Sequence, residues 1–358
     1  MTKYMLRRLL QAIPTFFGIT LLSYALMIGA PGGPVTALTF DPKITPQQRE
    51  ALAAKLGVND PFPIQYLRWL LGDDWMRWDT NEDGVADKNF LLPLDADGDG
   101  VAEDPGTRLG ILRGDFGISF FQKRPVLQIL LDRVPATLEL GAMALLLSVL
   151  VGMAIGIFAA VNRGGAFDNA TRVLAVLFNA IPAFWLGLIM ILVFGSTLGW
   201  LPMGSRCATT LSGGCPPLYQ RLNYILLPMI VLAAAPIASY SRFMRASMLE
   251  TVSKDYIRTA HAKGLSARSV WFRHGMRNAL IPLATFLGPA IAGLLGGAAV
   301  VETIFTWPGL GLLSVRAVVQ QDYPIVMGTV ILTGIATLLG LLLTDILYAA
   351  IDPRIRFS

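Results

Sequence analysis

Charge is scarce in this chain of 358 residues. Asp, Glu, Lys and Arg make up 15% of it, against about 25% in a soluble domain. Hydrophobic residues make up 54%, and the mean hydropathy is +0.57. That balance excludes an ordinary soluble domain and points to an integral membrane protein. Cysteine is nearly absent: Cys207 and Cys215 are too few for a disulfide framework, and no zinc-type Cys/His spacing occurs. No Walker-type phosphate loop and no Rossmann glycine pattern is found, so the chain is not expected to hydrolyse ATP by itself. The apolar spans show no internal repeat. The net charge of +5 does not mark a nucleic-acid binder, because the cations gather beside apolar runs, as membrane topology demands.

What is there is a series of apolar runs. Met1–Arg8 carries Lys3, Arg7 and Arg8, and Leu9–Ala30 is almost wholly apolar. The run exceeds the ~7–15 residues of a signal-peptide core and approaches the ~20 needed to span a bilayer. It reads as an uncleaved first span with its N-terminus inside, ended by Pro31-Gly32-Gly33-Pro34. Further spans are expected at Pro135–Val161, Val173–Trp200, Tyr224–Phe243, Ala279–Val301 and Asp322–Ile351. Pro182 should interrupt the third, a break that survives when packed in protein or lining a cavity. The fifth is rich in Gly and Ala, which lets helices approach closely. Six spans place both termini and every cationic loop on one side. The expected division is residues 1–30 (N-terminal segment and first span), 31–134 (an extracytoplasmic region with an acidic insertion at about 72–110), 135–352 (the membrane core) and a tail, 353–358. Thr45–Leu56 and Pro61–Leu71 read as short helices in the external region. Cys207 and Cys215 fall in an external loop where a disulfide is permitted; free thiols are the alternative.

Between the fourth and fifth spans lies a polar, basic elbow, 250–282. Lys254, Arg258, Lys263, Arg268, Arg273 and Arg277 are opposed there by Glu250 and Asp255, so the positive-inside rule holds it in the cytoplasm. Tyr256–Ala262 should form one helix, Gly264 should end it, and Ala267–Asn278 should form a second. On composition alone, a solvated basic loop near anionic lipid is the competing reading. The sequence Asp255-Tyr256-Ile257-Arg258-Thr259-Ala260-His261-Ala262-Lys263-Gly264-Leu265, with Asn278-Ala279-Leu280-Ile281-Pro282, resembles the cytoplasmic coupling loop of ABC importer permeases. It is most similar to the dipeptide/oligopeptide/nickel branch. Arg258 stands where the general signature has Glu, a departure typical of that branch. Glu302-Thr303-Ile304-Phe305-Thr306-Trp307-Pro308-Gly309-Leu310-Gly311 resembles the same branch, as does Gly114–Ser119 followed by Arg124-Pro125-Val126.

The resemblance implies an all-α integral membrane protein of about six helices with the type I ABC importer permease fold, in a bacterial or archaeal plasma (inner) membrane. It implies a second homologous permease, two cytoplasmic ATPase subunits that use ATP, an extracytoplasmic substrate-binding protein and a peptide solute, with membrane lipid around and no nucleic acid. It implies a coupling contact through Tyr256, Arg258, Thr259, Ala260, His261, Lys263, Gly264 and Arg268. His261 has a competing reading as a pH switch and a plainer one in packing. Glu302, Phe305, Trp307, Pro308 and Gly309 are candidates for an outer gate on the substrate path. Their structural alternative makes Trp307 an interfacial anchor and Pro308-Gly309 a turn.

The insertion is not of the family's kind. Asp79, Asn81, Asp83, Val85 and Asp87 repeat as Asp95, Asp97, Asp99, Val101 and Glu103, each with a glycine at position six, and Asp104 adds a spare ligand. Alternate carboxylates on a tight turn, a backbone carbonyl at position seven and an acid at nine match the first part of a calcium loop. Position twelve is Phe90 or Gly106, so these are not EF-hands. Between Asp73 and Asp104 eleven acids face only Arg77 and Lys88, a local charge of about −9. Structural Ca²⁺ binding is the expected cofactor chemistry; a loose acidic loop or a docking surface for an external partner are the alternatives. Two other functions stay in view: an ion-coupled secondary transporter or channel, and a calcium-responsive membrane scaffold. Against the first, Glu139, Glu302 and Asp345 all fall near span ends rather than mid-membrane.

Overall fold

The structure, a computed structural model, describes residues 2–29, 60–73, 77–78, 88–89, 109–208, 214–266, 269–280, 289–291, 293–295 and 298–351. Contacts divide the chain into two units: residues 1–12, 133–313 and 335–358 in one, residues 13–132 and 314–334 in the other.

Helix α1, Thr2–Ile28, is apolar on nearly every side. Leu9, Leu10, Leu22 and Leu26 are more than half exposed, as suits a helix facing lipid. Helix α2, Phe62–Leu71, starts after Pro61 and stops at Gly72, whose φ of 99° suits glycine. In the second unit Tyr24, Tyr66, Leu70 and Met327 form a small core, and the Thr20 and Tyr66 hydroxyls lie 2.9 Å apart within it.

Arg68 is buried between Asp73, at 2.9 Å, and Asp60. Burial pulls the Arg68 guanidinium down, but Asp73 and Asp60 outweigh it and hold the group above its ordinary pKa. Two residues of strand on each side, β1 Arg77–Trp78 and β2 Lys88–Asn89, pair antiparallel, a small departure from an all-helical chain. Gly110 lies directly on Gly72: a Cβ built there would fall 2.2 Å from the Gly72 nitrogen, and its φ is +78°. Arg113, in the turn Ile111–Arg113, donates to the Leu71 carbonyl. The chain thus leaves α2 and returns after residue 109 at one point.

Helix α3, Val126–Val161, contains Pro135 rather than starting there. The earlier start follows from Val126, Ile129 and Leu130, which are buried at helical spacing and extend the pattern beyond the apolar run. Helix α4, Ala166–Ala180, occupies much of what reads in sequence as the loop Asn162–Arg172. Asp168 accepts from the Gly164 N–H at 2.9 Å, satisfying a free donor ahead of the helix. Pro182 breaks the span as expected. Helix α5, Ala183–Met190, continues as a wide π-type turn, Ile191–Thr197, and α4 and α5 meet at a bend of 100°.

Helix α6 runs Leu222–Val252, nine residues beyond the expected Phe243, because Met244 and Met248 are fully buried four apart. Then comes α7, Asp255–Ala262, and, where the helix Ala267–Asn278 is expected, a π-helix Val270–Gly275 that runs straight into α8, Met276–Ala279. Helix α9 spans Ala299–Ile304, α10 Leu310–Val319 and α11 Tyr323–Ile351.

Six spans are expected from sequence. Among the described residues four helices are long and apolar enough to cross a membrane, Leu6–Ile28, Val126–Val161, Leu222–Val252 and Tyr323–Ile346, with a fifth if the bent pair counts as one. Residues 281–288, 292, 296 and 297 of the expected fifth span, Ala279–Val301, lie outside the described residues, as does the whole of the expected helix Thr45–Leu56.

In the first unit α3, α5, α6 and α9 share one core. Leu140, Ile225, Leu227, Phe305 and Trp307 are buried within it. Helix α3 packs on α6 through glycine. A Cβ at Gly152 would come within 2.9 Å of the Tyr240 Cβ, and one at Gly156 within 2.6 Å of the Ser241 carbonyl oxygen. Small residues four apart let two helix backbones approach this closely.

Candidate functional site: the basic elbow and the buried turn

Two places carry the residues singled out in sequence. The first is the elbow. Helix α7 begins at Asp255, which suits the first turn of a helix, and the chain reverses at Gly264 with φ +77°. Its apolar side faces inward: Ile257, Ala260 and Val270 form one cluster with Val252 against it. Tyr256, Arg258, Thr259, Lys263 and Gly264 are exposed. Ala260, expected on the contact side, is buried; at three residues from Ile257 it shares the inner face. The His261 side chain and Arg268 lie outside the described residues. Arg258 lies 3.3 Å from Asp255, both largely exposed, and pairs of that kind contribute about 0–1 kcal/mol. The elbow is therefore a short helix held by an apolar underside, with an aromatic and two cations outward.

The second is the turn after α9. Glu302, Phe305 and Trp307 are all fully buried. The Thr137 hydroxyl donates to Glu302 Oε1 at 2.7 Å, and the Leu312 N–H to Oε2 at 3.0 Å. Thr137 Oγ1 also accepts from the Leu310 N–H at 2.8 Å. The first turn of α10 thus has its free N–H groups satisfied by two side chains from other elements. Trp307 Nε1 donates to the Ala136 carbonyl at 2.8 Å. The interfacial-anchor reading of Trp307 is corrected accordingly: the indole lies in the core with its polar atom satisfied by α3 rather than at a membrane surface.

Gly309 has no alternative here, since a Cβ would fall 2.3 Å from Glu302 Oε1 and 2.4 Å from Thr137 Oγ1. Pro308 is half-buried, and Thr303 and Thr306 are the exposed residues of this motif. Ser205 donates its N–H to the Phe305 carbonyl at 2.7 Å, joining the turn to the segment that leads into Cys207. Cys207 and Cys215 are bonded to one another, with Cα atoms 5.7 Å apart. Beside them Glu139 accepts from Arg221, at 2.7 Å to each oxygen, and from Arg206 at 2.6 Å.

Thr137 was not singled out in sequence; a lone threonine in an apolar run carries no signal. Nor was the pair Asp168–Arg245, although an acid and an arginine at the inner ends of adjacent expected spans are a readable hint. Gly152-Met153-Ala154-Ile155-Gly156 is legible as a small-residue packing motif and was missed. The calcium-loop residues, Asp79 to Asp87 and Asp95 to Asp104, lie outside the described residues. Among the described residues no group of three His, Cys, Asp or Glu could hold a metal ion.

Long apolar helices, one bent pair, a buried turn and a basic elbow define a helical membrane protein. Comparison with known proteins gives the particular family. Residues 152–357 match the family described as the binding-protein-dependent transport system inner membrane component, and residues 1–80 match the N-terminal model of the same systems. The chain belongs to this family, the membrane permease component of ABC transporters; it is non-catalytic, and the ATPase is a separate subunit.

The chain is 37% identical to the oligopeptide transport system permease protein AppB of Bacillus subtilis, over 100% of both chains. It is 34% identical to the dipeptide transport system permease protein DppB of Escherichia coli K12, over 99% of both. Among solved structures it is similar to the MetNI methionine ABC transporter in an inward-facing conformation. That match has a TM-score of 0.50 and 18% identity, covering 63% of this chain and 97% of that one. It supports the type I importer permease fold. The two family models leave residues 81–151 unmatched between them, a stretch that holds most of the acidic insertion.

Proposed function

We propose that this chain forms half of the translocation path of an ATP-driven peptide importer. The reading rests on one observation above others: full-length similarity, at 34–37% identity, to permeases of oligopeptide and dipeptide transport systems. Its partners are a second homologous permease, two cytoplasmic ATPase subunits and an extracytoplasmic substrate-binding protein. It sits in the plasma (inner) membrane with both termini cytoplasmic, in keeping with the cations of Met1–Arg8, the elbow and Arg354-Ile355-Arg356. No bond in the solute breaks. Closure of the ATPases moves the elbow and rocks the spans between inward- and outward-facing states.

Tyr256, Arg258, Thr259 and Lys263, exposed on α7 and just after it, make the ATPase contact, while Ile257 and Ala260 tie the helix to the permease behind it. Glu302 and Trp307 hold the turn after α9 as one body, so that a gate there opens by moving the turn whole. The loops Asp79–Asp87 and Asp95–Asp104 bind Ca²⁺ structurally outside the membrane. Alternate carboxylates around a glycine are the chemistry that favours this, and β1 and β2 bring the two ends of the first loop together.

The test is purification from the native membrane followed by ATP hydrolysis and uptake assays in liposomes, with and without the binding protein and short peptides. Co-purifying ATPases and peptide-stimulated turnover are expected. A homo-oligomer that carries solute with no ATPase would overturn the reading in favour of a secondary transporter.

A further inference from the structure

Helix α6 enters the elbow almost directly: it ends at Val252, and α7 starts at Asp255. Seven residues before the end of α6, about 10 Å along the helix, Arg245 meets Asp168 at the start of α4. The guanidinium donates twice, from Nε to Oδ1 at 2.5 Å and from Nη2 to Oδ2 at 2.7 Å. The Asp168 carboxylate is completely buried, while Arg245 is one-fifth exposed. Besides Arg245, the Gly164 N–H donates to Asp168 at 2.9 Å, and Arg172 stands 3.9 Å away. Two parallel bonds from a planar fork fix direction as well as distance.

The surroundings make this contact a joint rather than a decoration. Helix α3 already lies backbone-close against α6 at Gly156, whose Cβ would come within 2.7 Å of Met244 Cβ and 3.1 Å of the Arg245 nitrogen. Ser247 donates to the Ala279 carbonyl at 2.9 Å, and Met244 and Met248 pack with Ile157, Ala160 and Ala279. The last turns of α6 are therefore gripped by α3 and α8, and Arg245 adds the start of α4. Helix α4 in turn ends at Ala180, where the chain bends by 100° into α5.

We propose that Asp168 and Arg245 are positioning residues that make α4 follow α6 during transport, so that movement of the elbow reaches the bend at Ile181-Pro182. The inference rests on the importer reading above. The role assigned to the pair requires no contact with solute or nucleotide. That role is to keep a helix that has no chain connection to the elbow in step with one that does. A buried carboxylate bonded bidentately to the other helix fixes direction as well as distance, whereas apolar contact alone is non-directional.

The experiment uses the complete importer in liposomes, with the binding protein and a short peptide. Uptake, ATP hydrolysis and thermal stability are measured for the unsubstituted protein, Asp168→Asn, Arg245→Lys, and Asp168→Cys with Arg245→Cys. The native cysteines of this chain are bonded to each other, so in an importer whose other subunits carry no reactive cysteine a short bis-maleimide links only the introduced pair. Uptake per ATP hydrolysed should fall about five- to tenfold in both single variants, the size of effect seen when residues between coupled sites are changed. Hydrolysis should persist. Linking the cysteines should restore uptake per ATP towards the unsubstituted value, because a covalent tether replaces the lost ion pair.

Variants that keep the unsubstituted ratio would overturn the proposal. So would a cross-link that fails to restore it, or uptake and hydrolysis falling in proportion with the melting temperature, the mark of a merely structural pair. If the unsubstituted importer shows no ATP-driven uptake, the importer reading fails and this inference with it.

Discussion

Glu302 and Thr137 meet at 2.7 Å in a place neither side chain shares with solvent. Their bond joins α3 to α9, and both also serve the first N–H groups of α10. A fully buried carboxylate held by neutral donors is sensitive to losing any one of them.

Thr137→Val keeps the shape of the side chain and removes its hydroxyl. It should leave Glu302 Oε1 and the Leu310 N–H without that partner, at a cost of about 1–3 kcal/mol per buried polar group. The melting temperature in detergent should drop by several degrees, while Thr137→Ser should stay near the unsubstituted value. Equal behaviour of the two variants would remove the hydroxyl from the account.

Gly156→Leu should be far more damaging than Leu150→Ala. A Cβ at Gly156 meets the Ser241 carbonyl and Met244 within 2.7 Å, and overpacking of that kind costs about 1–3 kcal/mol or more. Leu150 is 60% exposed on the same helix. Yield of folded protein and melting temperature report the difference; similar values would mean that α3 and α6 can separate cheaply.

Cys207 and Cys215 should resist a membrane-impermeant maleimide added to intact cells and become reactive to it after reduction. Protection from the reagent even after reduction would place this loop on the other side of the membrane or bury it in a partner.

Calcium should bind the acidic insertion at about 10⁻⁴–10⁻³ M, the range of external calcium modules. Asp95→Asn with Asp97→Asn should weaken calorimetric binding at least tenfold if the second loop is a site. Binding unchanged in this variant and in Asp79→Asn with Asp83→Asn, the first and fifth positions of the first loop, would show that the loops do not hold the ion.

Much of this molecule was legible in the chain, and the parts that were not share a cause. Pro182 announced the break between α4 and α5, and Gly264 the end of α7, because each acts through its own backbone. The start of α3 at Val126 and the end of α6 at Val252 did not show in apolar content. Charged residues such as Asp132, Arg133, Arg242 and Arg245 interrupt the apolar run without interrupting the helix, their neighbours being buried by other elements. The interfacial-anchor alternative for Trp307 failed for a similar reason. Tryptophan near a span end usually seeks the lipid headgroups, but here the Ala136 carbonyl, 171 residues away in sequence, satisfies its N–H inside the protein. Asp168, Arg245 and Thr137 are meaningful only in pairs made across the fold, and no local pattern encodes those.

The contact between Gly72 and Gly110 bears on how such a protein changes over time. Where a chain exits and re-enters at adjoining residues, what lies between can be replaced, lengthened or removed without asking the rest to shift, since a peptide bond needs only ~3.8 Å between Cα atoms and extra length adds closure entropy slowly. The doorway at those two glycines is thus a natural graft point. A permease can acquire an acidic appendage there in one genetic event, and an experimenter can exchange it for a fluorescent or affinity module by the same route.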